Sequence, residues 1–289
     1  MKKAPFVFLA LIMGILALFH FDVIWRSPPF YSPEYEATLS TPIICMDAYG
    51  DLSGHVRPYM YEVQAGEGQI FIAGLDHTRD SENPQIDALR ESWHNFRPTV
   101  ALVEGRMGFY FRWIHDPIEL YGESGETARL AKKERLPLYT WEPTREEEVS
   151  WLLKKYPARQ LALFYSLRPY FSNFRFGKPD DPDKIMQHYI GSRTDYEGLR
   201  GQLRDVAQID SIWQADFPNR PDWRDTSDEW GWPEGYLTEL ANESNIARDV
   251  HLINILFDLA NKGERVFATV GSSHAFRIEE AVRAEAKID

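Results

Sequence analysis

The chain has 289 residues, 44% of them hydrophobic and 14% aromatic, enough to bury a sizeable core, which excludes disorder as its default state. A formal net charge of −12 and the lack of a long Lys/Arg run exclude phosphate-backbone binding as the main activity, so no nucleic-acid partner is expected. Cys45 is the only cysteine, which excludes an internal disulfide, a cysteine-rich zinc knuckle and a CxxC redox pair; any metal must be held by His and carboxylates.

Lys2 and Lys3 precede an apolar run from Ala4 to Phe19, which continues past His20 and Asp22 to Ile24 and Trp25 and ends at Arg26, Ser27, Pro28 and Pro29. A cationic start before an apolar stretch predicts an export signal or anchor. With no A-x-A-like cleavage site before Asp22, an uncleaved transmembrane signal-anchor over residues 1–25 is preferred to secretion after signal cleavage. The body is then extracytoplasmic, periplasmic or extracellular, and membrane-tethered. Residues 26–57, with Pro28, Pro29, Pro33 and Pro42, predict an extended linker.

The folded domain is expected over 58–289. Tyr59 to Val63 and Gln69 to Ala73 are β-type runs separated by Ala65-Gly66-Glu67-Gly68, a hairpin signature, and the second runs into Gly74-Leu75-Asp76-His77. Ile86, Leu89, Trp93 and Phe96 then recur at helical spacing until Pro98 stops the helix before the strand Thr99 to Val103. Strand, turn, helix, strand is a βαβ unit, which places Glu104 at the same edge of a parallel sheet as His77. A helix near Glu126 to Glu134 leads to the strand Pro137 to Trp141, which ends at Glu142 and Pro143. Residues 144–242 read as a mainly helical, aromatic-rich insertion. The chain returns through a helix at Ile246 to Ala260, a strand at Val266 to Val270, the turn Gly271-Ser272-Ser273-His274 and a closing helix at Ala275 to Ala286. The fold class is α/β: a central mixed, mainly parallel sheet flanked by helices, with a helical insertion and an N-terminal transmembrane helix.

G-x-x-H occurs twice, each time directly after an apolar β-type run, at the strand ends where open α/β sheets place their ligands. Glycine permits a sharp turn there, and imidazole both binds metals and shuttles protons near neutral pH. A histidine in such a turn also serves as a hydrogen-bonded structural residue. Two of them with Glu104, a carboxylate whose desolvation at the end of a buried strand demands a partner, point to a site. Asp76 is a candidate ligand or an orienting partner of His77, and Glu142 a second strand-end carboxylate or a turn cap. Arg106 and Arg248 are candidates for stabilising an oxyanion. Ser272 and Ser273 are read as helix caps, since no G-x-S-x-G elbow is present. Trp213, Trp223, Trp230 and Trp232 with Tyr165, Tyr170 and Phe171 either line a groove or pack the insertion. The carboxylates between Asp222 and Glu234 read as a solvated acidic loop.

Tyr59 to His77 (YMYEVQAGEGQIFIAGLDH), Val100 to Gly105 (VALVEG), the helix with Ala247-Arg248-Asp249, and Arg265 to His274 (RVFATVGSSH) resemble the TraB/GumN/PrgY family, which includes the Tiki proteases and is distantly similar to ChaN-like and erythromycin esterase-like proteins. The resemblance runs through four separated blocks in order. It implies an α/β fold of two related βαβ-type halves and metal-dependent hydrolysis, with peptide bonds as the expected substrate. His77, Glu104 and His274 take the family's metal-site positions, for Mn, Co or Zn, and Arg248 matches an arginine in the helix before the last strand. Asp76 and the Trp-rich insertion depart from the family pattern. Two alternatives use the same cleft: non-catalytic binding of a peptide or of haem, and a metal-free, esterase-like hydrolase with His77 as general base.

Overall fold

The computed structural model describes residues 4–20, 23–50, 52, 54–111, 113–174, 177–226 and 231–288. In chain order these form α1 (Ala4–His20), β1 (Ile24–Trp25), α2 (Met46–Gly50), β2 (Tyr59–Ala65), β3 (Gly68–Leu75), α3 (Pro84–Phe96), β4 (Val100–Val103), β5 (Tyr110–Phe111), α4 (Pro117–Glu134) and β6 (Leu138–Thr140). There follow α5 (Arg145–Leu152), α6 (Ala158–Asn173), α7 (Pro182–Arg193), α8 (Val206–Asp216), α9 (Tyr236–Ala260), β7 (Arg265–Gly271) and α10 (Ser272–Glu285). Two compact units share the chain: the first comprises residues 1–44, 48–142 and 249–289, the second 45–47 and 143–248.

The first unit is built on a five-stranded sheet of order β2-β3-β7-β4-β6. β2 and β3 form the antiparallel hairpin, turning at Gly66-Glu67 with Gly66 at φ 52°, a conformation that glycine adopts without steric cost. β3, β7, β4 and β6 are mutually parallel. Parallel strands are covered on both faces, and the sequence shows it: Val100, Ala101, Leu102 and Val103 are all buried, with no polar residue to alternate. α3 starts at Asn83, whose side chain accepts from the Gln85 N–H, and ends at Arg97 in the left-handed conformation.

α4 begins at Pro117, ahead of the expected start near Glu126, with Asp116 as its N-cap, and breaks at Gly122 (φ 60°, ψ −145°). Close approach explains Gly122 and Gly125. A β-carbon on Gly122 would stand 2.7 Å from the Thr78 carbonyl oxygen, and one on Gly125 would strike the Pro117 carbonyl.

The N-terminal segment differs from its expected form. α1 is 17 residues long and ends at His20, and Ile24–Trp25 pair antiparallel with Phe111 and Tyr110 as a strand, where Trp25 is buried against Tyr110. At about 1.5 Å per residue such a helix reaches about 26 Å, short of an about 30 Å hydrocarbon core. Among the described residues no helix is long and apolar enough to cross a membrane. Residues 1–3, 21 and 22 of the expected 1–25 anchor lie outside the described residues.

The proline-rich segment read as a linker is extended, and its tyrosines fasten it to the core. The Tyr31 hydroxyl donates to Asp258 (2.5 Å) and that of Tyr35 to Glu285 (2.7 Å), while the Thr38 and Leu39 N–H groups donate to the two Glu285 oxygens at 2.8 and 3.1 Å. Glu285, fully buried, is thereby satisfied by this strap.

The second unit is helical. Tyr165, Tyr170, Phe171, Trp213 and Trp223 are buried in one core with Leu161, Phe164, Met186 and Leu240, and Trp232 packs against it. These aromatics pack the insertion; Trp230 lies outside the described residues. Within the acidic stretch Arg224 pairs with Asp183, Asp210 and Asp222, so part of it is neutralised internally.

Candidate functional site

Strand order assembles the site. β7 lies between β3 and β4, so the turn carrying His77 after β3 and Glu104 after β4 flank the end of β7 at Gly271. A β-carbon placed on Gly271 would stand 3.6 Å from Oε2 of Glu104, 3.6 Å from Cδ2 of His274 and 3.7 Å from Nε2 of His77. The two GxxH histidines and the acid thus surround one point. The Gly271 N–H donates to Oε2 of Glu104 at 3.0 Å, which ties the acid to the strand end.

Each imidazole is held from behind by a carboxylate. Nδ1 of His77 lies 2.7 Å from Oε1 of Glu123, and Nδ1 of His274 lies 2.5 Å from Oδ1 of Asp249. A carboxylate at Nδ1 accepts its proton and leaves the Nε2 lone pair facing outward, the tautomer required of a metal ligand or a general base. Oδ2 of Asp249 is in turn 2.8 Å from Arg277, an ion pair rather than an aligned hydrogen bond, with both side chains fully buried. The Trp141 ring stands edge-on to His274 at 5.5 Å and is locked by its indole N–H on the Thr269 carbonyl (3.0 Å). The His77 side chain is 70% exposed and that of His274 9%, so the site runs from solvent into the core.

The roles expected of several neighbours change. Asp76 does not orient His77; it pairs with Arg57 at 3.0 Å, raising the Arg57 pKa, while Gln85 bonds both its backbone N–H and its carbonyl. Glu123 takes the orienting role because the break at Gly122 brings it under the turn, where its other oxygen accepts from the Thr78 N–H (3.4 Å). Arg106 is exposed with its guanidinium over the Phe30 ring. Glu142 is half-buried and its N–H donates to Oγ1 of Thr140 (3.4 Å). Arg248 immediately precedes Asp249 in the chain and belongs to the second unit, where its NH1 lies 3.5 Å from Oδ1 of Asn245.

Neither serine caps α10: its N-cap is Gly271 and no side chain bonds there, while the Ser272 hydroxyl is buried without a hydrogen-bond partner. The two motif glycines are not turn formers either. Gly74 lies within β3, where a β-carbon would stand 2.4 Å from that of Ala275 and 2.7 Å from the Tyr59 carbonyl oxygen, so it admits the first turn of α10 against the sheet. Gly271 leaves open the space among His77, Glu104 and His274.

Sequence reasoning missed Glu123, Asp249 and Arg277. Asp249 had a signal, an acid inside the apolar helix Ile246 to Ala260, because a buried carboxylate must be paired. Glu123 had none, since its placement depends on the Gly122 break.

Compared with protein-family models, curated proteins and solved structures, the chain matches none. Among the described residues no group of three or more His, Cys, Asp or Glu side chains is gathered to hold a metal ion. In donor type the set suits a divalent ion: one nitrogen and one carboxylate oxygen face the common point, and each imidazole carries the carboxylate that metal-ligating histidines have at Nδ1.

Proposed function

We propose that the chain is a hydrolase whose centre is His77, Glu104 and His274, acting on an acyl bond, with peptide bonds as the substrate class that the TraB/GumN resemblance implies. The observation that carries this reading is the convergence of the three side chains on one point, with both Nδ1 atoms engaged by acids. A water placed there meets Glu104, which takes its proton as the oxygen attacks the carbonyl carbon. Glu104 then passes that proton to the leaving group as the acyl bond breaks, while His274, buried and fixed by Asp249, presents its Nε2 lone pair to the water's second hydrogen. A divalent ion held by His77, Glu104 and His274 would make such a water acidic near neutral pH.

The test is hydrolysis of a peptide mixture by the full chain, read by mass spectrometry, for wild type, His77→Ala and His274→Ala, with and without chelator. Loss of cleavage in both variants, with folding retained, and inhibition by chelator are expected. Cleavage that survives both substitutions contradicts the assignment.

A second reading, metal-free hydrolysis with His77 as general base, is favoured by Glu123, which holds Nδ1 of His77 at 2.7 Å as the acid of a base dyad does. Chelator-insensitive cleavage that His77→Ala abolishes selects it.

Placement at a membrane is part of the proposal. α1 carries exposed Phe8, Met13, Ile15 and Leu16, the Phe19 ring lies 6.0 Å from that of exposed Phe109, and Trp113 and Ile114, four and five residues beyond Phe109 in the chain, are exposed as well. Apolar and aromatic side chains so clustered suit a lipid interface. Co-sedimentation of the full chain with lipid vesicles supports this, and a chain that stays in the supernatant overturns it.

A further inference from the structure

We propose that the helical unit carries a pocket for a small oxyanion of the phosphate class, separate in its residues from the His77, Glu104 and His274 set. Arg145 at the start of α5, Tyr165, Arg168, Pro169 and Ser172 on α6, and Arg193 at the end of α7 line a cavity of about 190 Å³. At about 30 Å³ per water, that volume holds about six waters, room for a phosphate and part of an attached group.

Three guanidinium groups on one cavity are costly unless their charge is met. Glu148 meets some of it, 2.6 Å from Arg145 and 3.5 Å from Arg168. That carboxylate does not line the cavity and is also engaged by the Ser244 hydroxyl. Arg193 makes no ion pair among the described residues and only lies over the Tyr189 ring at 5.8 Å. Guanidinium forks match phosphate oxygens in pairs, and three of them suit a dianion better than a single carboxylate.

An independent observation comes from Tyr165. Its side chain is 3% exposed, it lines the cavity, and its hydroxyl meets no hydrogen-bond partner. The Arg145 guanidinium lies over its ring at 4.7 Å. Burial, and then the Glu148 charge, push the Tyr165 pKa well up, so the group stays a proton donor. A buried donor left unsatisfied is destabilising, and an oxyanion in the cavity supplies the missing acceptor.

Titration calorimetry of the full chain with inorganic phosphate, sulfate and acetate tests this. Phosphate is expected to bind at one site, at least ten-fold more tightly than acetate. Tyr165→Phe, which removes only the hydroxyl, and Arg193→Gln, which changes an exposed side chain, are each expected to weaken phosphate at least five-fold. Without ligand, the melting temperature of Tyr165→Phe should not fall, because no internal bond is lost. Phosphate bound no better than acetate, unchanged affinity in both variants, or a lowered melting temperature for Tyr165→Phe overturns the proposal.

Discussion

His274 and Asp249 form a buried pair, Nδ1 to Oδ1 at 2.5 Å, in which the acid is also the counter-ion of the fully buried Arg277. One carboxylate thus sets the tautomer of a site imidazole and offsets a cation in the core. Asp249→Asn is expected to reduce kcat/KM for hydrolysis by about 10²–10⁴-fold, because an amide there no longer enforces the Nε2 lone pair. The same change strands Arg277 and is expected to cost about 3–5 kcal/mol of stability. Asp249→Asn/Arg277→Met should regain stability in urea unfolding without regaining activity, which separates the two roles.

The two motif glycines should respond in opposite ways. Gly271→Ala introduces ordinary contacts at 3.6–3.7 Å and an allowed backbone, φ −60°, so the fold should persist while the new methyl fills the space among the three site groups. Activity should fall at least ten-fold with a change in stability under about 1 kcal/mol. Gly74→Ala sets its methyl 2.4 Å from that of Ala275 and 2.7 Å from backbone, and should cost about 1–3 kcal/mol or more by overpacking. Thermal melts and steady-state kinetics on both variants check this.

The strand-end pattern was legible because apolar runs, glycines and Pro98 punctuate the chain where the elements change. The β2–β3 hairpin, α3 and the placement of His77 and Glu104 beyond strands followed from it. Sheet order did not. That β7, last in sequence, lies between β3 and β4 is a tertiary fact that no local period records. Gly74 was misread for a related reason, since it answers to Ala275, a neighbour distant in the chain. The strap was misread because prolines report only extension, and the Tyr31 and Tyr35 contacts lie with Asp258 and Glu285.

Acid should unfold the helical unit through Glu148. Burial alone would raise its carboxyl, but Arg145, Arg168, the Ser244 hydroxyl and Arg248 outweigh burial and hold its pKa below 4.5. A folded pKa below the unfolded one gives stability that is complete above the unfolded value and is lost as pH falls through the folded one. Urea midpoints should therefore decline below pH 4.5. Glu148→Gln should flatten that decline and lower stability at pH 7 by about 1–3 kcal/mol, because the half-buried Arg145 and Arg168 lose their partner. An unchanged acid limb in the variant would place the acid sensitivity elsewhere, with Glu126 next, itself lowered by Arg129 and Arg90 against burial.

The most direct test of a shared centre at His77, Glu104 and His274 is a calorimetric titration of the full chain with manganese, cobalt and zinc, repeated on His77→Ala, Glu104→Gln and His274→Ala. The account predicts one ion per chain in the wild type and at least ten-fold weaker binding in each variant. An ion bound equally well by all four proteins, or by none, would contradict it.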